Sequence, residues 1–133
     1  MLFSDLLLAM KQAEADHTNT FAALCGGEGS VNAALPQTPE FQTWHARWQQ
    51  RLEQQSQGAA ESLALRRATN PAVIPRNHKV EEALEAAVEE DDLRPVRRLL
   101  EVLSQPFAHG AVPEEYRASP GPNWREYRTY CGT

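Results

Sequence analysis

A stripe of apolar side chains in the first half of the chain argues strongly for a helical fold. Thr38 is suited to cap a helix, and Phe41 begins the stripe three residues later. Trp44, Trp48 and Leu52 follow at steps of three or four residues, which matches one face of an α-helix rather than the alternation of a strand. The sequence therefore predicts an amphipathic helix with a buried aromatic face.

Five further segments show helical periodicity or helix-end signals. Asp16, Asn77 and Asp92 are suited to cap three of them, and Pro106 is suited to end the last. We therefore predict an all-α fold of five or six helices. The predicted segments are 2–14 (with a stripe of Leu2, Leu6, Leu7 and Met10), 16–26, 38–57, 59–68, 77–89 and 92–105.

The last two predicted helices follow a stretch with unusual backbone constraints. Asn70 precedes Pro71 and Ile74 precedes Pro75, and a residue before proline is pushed towards extended conformations. The short linker EEDDLRP then separates the two helices, which predicts a C-terminal αα-hairpin. Apolar residues line one face of each helix: Val80, Ala83, Leu84, Ala87 and Val88 on the first and Val96, Leu99, Leu100 and Leu103 on the second.

The final segment is loop-like but rich in aromatic residues. Disordered tails are usually poor in aromatic side chains, so we expect this tail to pack on the same domain or on another part of the protein. We predict a helical domain at 1–106 and an extended tail at 107–133 that ends near Cys131. The aromatic residues are Phe107, Tyr116, Trp124, Tyr127 and Tyr130.

Composition excludes several classes of partner. The net charge of −5 favours neither nucleic acid nor an anionic membrane surface. No apolar run approaches the roughly 20 residues that a membrane helix needs, and the first residues lack the basic start of a signal peptide. The two cysteines do not form a disulfide framework, so we expect a reducing cytoplasm.

The sequence offers no motif for a catalytic or metal site. His17, His45, His78 and His109 are scattered without the spacing of metal ligands. The acidic residues between 81 and 92 have helical spacing, which is typical of a solvated helix face. No glycine-rich phosphate loop follows a strand, and no nucleophile elbow is present. We therefore predict no catalytic residue and no metal ligand.

Two groups of residues remain as candidate sites. Arg66, Arg67, Arg76 and Lys79 flank the extended connector and would suit an anion-binding site; surface charge paired with nearby glutamates is the alternative. Cys131 lies close to Arg125 and Arg128, which favour a thiolate, and an incidental thiol is the alternative. We expect Cys25 to behave as a small buried hydrophobe.

Several segments in a fixed order resemble the C-terminal end of the selenoprotein O family. They are NPAVIPRNHKVEEALEAA, LRPVRRLLEVLSQPF and the closing YRTYCGT, preceded by EADHTNTFAAL and FQTWHARWQQRL. The resemblance implies a much longer protein with a kinase-like fold, which binds ATP in an inverted orientation. Such proteins transfer AMP to protein hydroxyls with the assistance of magnesium or manganese.

The catalytic motifs of that family lie upstream of the resembled segments, and none occurs in this sequence. The resemblance therefore implies a C-terminal piece of a bacterial protein, without a cofactor or activity of its own. Its partners would be the upstream kinase-like domain and the protein substrates of the whole enzyme. A free-standing helical protein-interaction module is the alternative function.

Cys131 occupies the place of the family's terminal cysteine or selenocysteine. No second cysteine stands nearby, so the resemblance does not extend to a local two-thiol motif. A redox-sensitive thiol that pairs with a distant cysteine of the kinase-like part is what the resemblance implies. Pairing with Cys25 is the less favoured alternative.

Overall fold

The computed structural model describes residues 1–26 and 35–120, and within these ranges every regular element is helical. The predicted all-α fold class is confirmed. One short helix beyond the six predicted ones lies in the tail. The helices are α1 (Leu2–Gln12), α2 (His17–Ala23), α3 (Pro39–Glu53), α4 (Ala59–Thr69), α5 (Asn77–Glu89), α6 (Arg94–Leu103) and α7 (Glu114–Arg117).

The chain divides into two compact units. Unit 1 comprises Met1–Ala72 together with Phe107–Ala111, and unit 2 comprises Val73–Pro106 together with the described residues from Val112 onward. The short segment Phe107–Ala111 thus belongs with residues that precede it by more than thirty positions. The predicted boundary between a domain at 1–106 and a tail at 107–133 stays a prediction.

Unit 1 is built on the packing of α1 against α3. Leu6, Ala9 and Met10 of α1 are buried against Phe41 and Trp44 of α3 in one apolar cluster. Of the residues whose spacing predicts α1, Leu6 and Met10 are buried, whereas Leu7 is 39% exposed. Ala9 takes its place because it lies three residues after Leu6, on the side of the helix that meets α3.

Local capping fixes where α2 and α3 begin. The Thr38 hydroxyl accepts a hydrogen bond from the Phe41 backbone N–H at 3.2 Å, and Asp16 accepts one from the Asn19 N–H at 2.8 Å. Both predicted caps are confirmed. The Trp44 indole N–H also donates to the Leu2 carbonyl oxygen at 2.7 Å, which ties α3 to the start of α1.

Unit 2 is the predicted αα-hairpin of α5 and α6, but its caps differ from expectation. Asn77 does not cap α5, because it is already the first helical residue and the preceding Arg76 occupies the cap position without a side-chain bond. Asp92 lies two residues before α6 and accepts a hydrogen bond from the Arg94 N–H at 2.9 Å. The Arg94 side chain also binds Asp92 and lowers the pKa of that carboxyl to about 2.

The predicted apolar stripes of the hairpin are only partly buried. Ala83, Leu99 and Val102 are buried, as the periodicity predicts for Ala83 and Leu99. Leu84 and Leu100, which belong to the predicted stripes, are 52% and 63% exposed. Val88 of the α5 stripe is 82% exposed. These side chains project beyond the contact between two helices, which covers only one narrow strip of each.

Candidate functional site

Arg66 and Arg67, two of the predicted anion-binding residues, bind the main chain of unit 1. Arg66 donates from its guanidinium to the Leu24 carbonyl oxygen, and Arg67 donates to the Cys25 carbonyl oxygen at 2.9 Å. Both acceptors lie just after the end of α2, where carbonyl groups lack helical partners and the helix dipole is negative. The Arg66 guanidinium also lies 5.1 Å from the centre of the Trp48 ring, a cation–π distance.

Arg76 and Lys79, the other two predicted residues, belong to unit 2. Arg76 donates to the Arg117 carbonyl oxygen at 3.3 Å, and Lys79 forms an ion pair with Glu82 at 2.7 Å. The hydrogen bond that Lys79 donates to the Glu82 carboxylate raises the pKa of Lys79. The structure thus places the four cations as two pairs in separate units, and the anion-binding role stays a prediction.

The first of the two cysteines, Cys25, is buried in unit 1. Cys25 is 1% exposed, and its Sγ lies 3.2 Å from the Phe21 carbonyl oxygen. Burial raises the pKa of this thiol, so it is held protonated and unreactive. The interpretation of Cys25 as a small buried hydrophobe is confirmed. Cys131, the predicted redox residue, lies outside the described residues.

Three of the four histidines lie in different surroundings. His45 lies among Phe41, Trp44 and Trp48, with ring centres 5.4 to 6.4 Å away, and burial lowers its pKa. Burial also lowers the pKa of His78 in unit 2. His109 instead reaches main-chain carbonyl groups at the end of α4. Sequence reasoning missed this contact, and no local signal could have shown it, because the partners are 39 and 42 residues away.

Helix caps use polar side chains that line a cleft in unit 1. An open cleft of about 370 Å³ in unit 1 is lined by Asp16, Asn19, Gln37 and Thr38 among others. Asp16 and Thr38 already use side-chain oxygens to cap helices. Within residues 1–26 and 35–120, no three His, Cys, Asp or Glu side chains are grouped to hold a metal ion. These residues therefore do not fit the metal that the resemblance implies.

The most distinctive exposed feature of unit 2 is a set of apolar side chains that we call the hairpin surface. It consists of Leu84, Val88, Leu93 and Leu100, which are all about half exposed or more. An α-helix turns about 100° per residue, so Leu84 and Val88 lie on the same flank of α5, and Leu100 lies on the corresponding flank of α6. Because the two helices of a hairpin run antiparallel, these flanks are on the same side of it.

No described helix is long and apolar enough to cross a membrane.

Comparison with known proteins gives a consistent result. Residues 1–104 match the family described as protein adenylyltransferase SelO. Proteins named protein nucleotidyltransferase YdiU are 51% identical in Halalkalibacterium halodurans, 49% in Geobacillus kaustophilus and 47% in Bacillus cereus. Each match covers 99% of this chain but only 27% of the relative. The chain thus spans about a quarter of the length of these relatives, and it belongs to the protein adenylyltransferase SelO family.

Proposed function

We propose that this chain is the C-terminal helical region of a protein adenylyltransferase and that it supports the nucleotide-binding part of the same polypeptide. The observation that carries the proposal is the family match over residues 1–104. The whole protein would transfer AMP from ATP to serine, threonine or tyrosine hydroxyls in the bacterial cytoplasm, with magnesium or manganese bound elsewhere in the polypeptide. Its other partners would be the protein substrates.

The state of the candidate cations supports a structural role for this region. Arg66 and Arg67 bind carbonyl groups of their own unit, and Lys79 is paired with Glu82. The two arginines thus fix one helix to the end of another, and Lys79 pairs within its own helix, so these three cations already have partners other than a phosphate group.

The hairpin surface supports contact with further protein. Leu84, Val88, Leu93 and Leu100 expose apolar area that would gain stability from burial, at roughly 25 cal/mol per Å². The relatives contain almost three quarters of their length outside the matched segment, and this length provides an occupant. We propose that the preceding part of the same polypeptide covers the hairpin surface.

Transfer of label from ATP tests whether AMP transfer requires the rest of the polypeptide as well as this chain. The chain alone, incubated with ATP labelled in its α-phosphate, a divalent metal and acceptor proteins, should incorporate no label. A graft in which this chain replaces the matched segment of the Halalkalibacterium halodurans relative should incorporate it, and the same protein without the segment should incorporate much less. Label transfer by the chain alone would contradict the proposal.

The hairpin surface can be tested in the same graft. Replacing Leu84 and Leu100 by serine should lower label incorporation, because the exposed area they offer to the preceding polypeptide is reduced. Leu65→Ser is the matched control, since Leu65 is 55% exposed but belongs to unit 1. Equal incorporation by the double variant and the unchanged graft would show that the hairpin surface is not used in this way.

We also propose that Cys131 is a redox-sensitive thiol. The support comes from the resemblance of YRTYCGT to the family's closing segment and from the neighbouring Arg125 and Arg128 in the sequence. A disulfide between Cys131 and a distant cysteine would form as the two thiols lose two hydrogens to a peroxide, which is reduced to water. Intact-mass measurement of the graft with and without reductant should show that difference, and Cys131→Ser should abolish it.

A further inference from the structure

The imidazole of His109 binds two main-chain carbonyl groups at the end of α4. Its Nε2 lies 2.8 Å from the Asn70 carbonyl oxygen and 3.2 Å from the Arg67 carbonyl oxygen. Carbonyl oxygens only accept hydrogen bonds, so Nε2 must carry a proton and donate it. All three residues belong to unit 1.

The acceptors of this contact are themselves held in place. Asn70 donates from its side-chain amide and its backbone N–H to the Arg66 carbonyl oxygen, both at 2.9 Å. Arg67 donates to the Cys25 carbonyl oxygen, as described above. The end of α4 is therefore fixed to the end of α2 by contacts that do not involve His109.

The donor is also presented by an ordered turn. The His109 N–H donates to the Phe107 carbonyl oxygen at 2.9 Å, and the Ala111 N–H donates to that of Ala108 at 3.1 Å. Gly110 has a φ of +84°, a conformation that glycine adopts without the strain of a side chain. The main chain of the turn at 107–111, from which the imidazole extends, is thus ordered by its own hydrogen bonds.

We infer that His109 is a clasp that closes the stretch of chain between Asn70 and His109, which are 39 positions apart, by joining its end to its beginning. The two ends of the stretch that carries α5 and α6 are thereby held together on unit 1. Without such a contact the second end would be free to move, and closing a loop of this length has an entropic cost. Hydrogen bonds from His109 offset this cost. Their acceptors are carbonyl groups at the end of α4, which lack partners within the helix.

The tautomer of His109 tests the clasp directly in the unmodified chain. A long-range ¹H–¹⁵N correlation spectrum at about pH 8, above the ordinary titration range of imidazole, distinguishes a proton on Nε2 from one on Nδ1. We expect His109 to carry it on Nε2 and His17, whose ring is near only Phe21 in the described contacts, to show a mixture. Loss of one signal in His109→Gln assigns the residue. A proton on Nδ1 of His109 would overturn the inference.

Hydrogen exchange of variants provides the second test. In His109→Ala the backbone amides of residues 107–111 should exchange about tenfold faster, since one or two net hydrogen bonds are lost. His109→Gln keeps a side-chain donor and should restore part of the protection. His17→Ala, a substitution on an exposed residue of the same unit, should leave these amides unchanged. Equal exchange in His109→Ala and the unmodified chain would show that no clasp exists.

Discussion

In unit 1 the buried residues come from several helices and include Phe41 and Trp44, whereas in the described part of unit 2 fewer residues are buried and Leu99 and His78 are the bulkiest of them. Phe41 and Trp44 are 2% and 4% exposed and pack with Leu6 and Met10. In the hairpin of unit 2, Ala83 is as buried as Trp44, while Leu84 and Leu100 remain more than half exposed. Unit 1 therefore contains a core of its own, and unit 2 offers a surface that suits further protein.

The core of unit 1 should give the largest loss of stability. Phe41→Ala removes a buried ring from the cluster and should lower the free energy of unfolding by about 3–5 kcal/mol. Phe3→Ala is the matched control, because Phe3 is 62% exposed, and it should change that free energy by less than about 0.5 kcal/mol. Urea unfolding followed by tryptophan fluorescence measures both; similar losses would refute the assigned core.

Substitutions of two adjacent leucines of α6 should distinguish the buried side of the hairpin from its exposed side. Leu99→Ala should lower the stability of unit 2 by about 2 kcal/mol, at the low end for buried leucines because the surrounding core is small. Leu100→Ala should cost less than about 0.5 kcal/mol in the chain alone. Hydrogen exchange of the α6 amides reports the two effects. A larger effect for Leu100 would reverse the assignment of the buried and exposed sides.

Two variants compare the start of α3, which a side chain caps, with the start of α5, which no side chain caps. Thr38→Ala removes the oxygen that accepts from the Phe41 N–H, so it should destabilise unit 1 by about 1 kcal/mol. Asn77→Ala should have almost no effect, since the Asn77 side chain does not cap α5. Thermal unfolding of both variants provides the comparison. A loss in Asn77→Ala equal to that in Thr38→Ala would favour the cap that the sequence predicted.

The smallest effect expected is a dependence of the stability of unit 1 on pH, caused by the titration of His45. Burial lowers the pKa of His45 in the folded state, so the unfolded chain binds this proton at higher pH than the folded chain does. Stability should therefore fall as the pH drops below the ordinary value of about 6.5 towards the lowered folded value. His45→Phe should flatten this dependence in urea unfolding measured between those pH values. An unchanged slope in His45→Phe would exclude His45 as its source.

Local features of the fold were predictable because their partners are close in sequence. The caps by Asp16 and Thr38 act on N–H groups three residues later, and the α3 stripe repeats within one helix. The predicted capping role of Asn77 is wrong, because a capping residue and a first helical residue differ by a single position. Leu84 belongs to the predicted apolar face of α5 and yet is exposed, because periodicity reveals an apolar flank but not whether anything covers it.

The contacts of the candidate site were not predictable for a different reason. Arg67 meets the Cys25 carbonyl across 42 residues, and His109 meets that of Asn70 across 39. Such pairings depend on how helices pack, and nothing in the neighbouring residues encodes them. The family resemblance did predict the membership that the comparisons show, because it relied on several segments in a fixed order.

Hydrogen exchange of α5 and α6, compared between this chain alone and the graft into the Halalkalibacterium halodurans relative, tests the central claim most directly. If the preceding polypeptide covers the hairpin surface, the amides of Asn77–Glu89 and Arg94–Leu103 should exchange at least about tenfold more slowly in the graft. The amides of α3 in unit 1 should exchange at similar rates in both. Equal exchange of α5 and α6 in the two proteins would contradict the account.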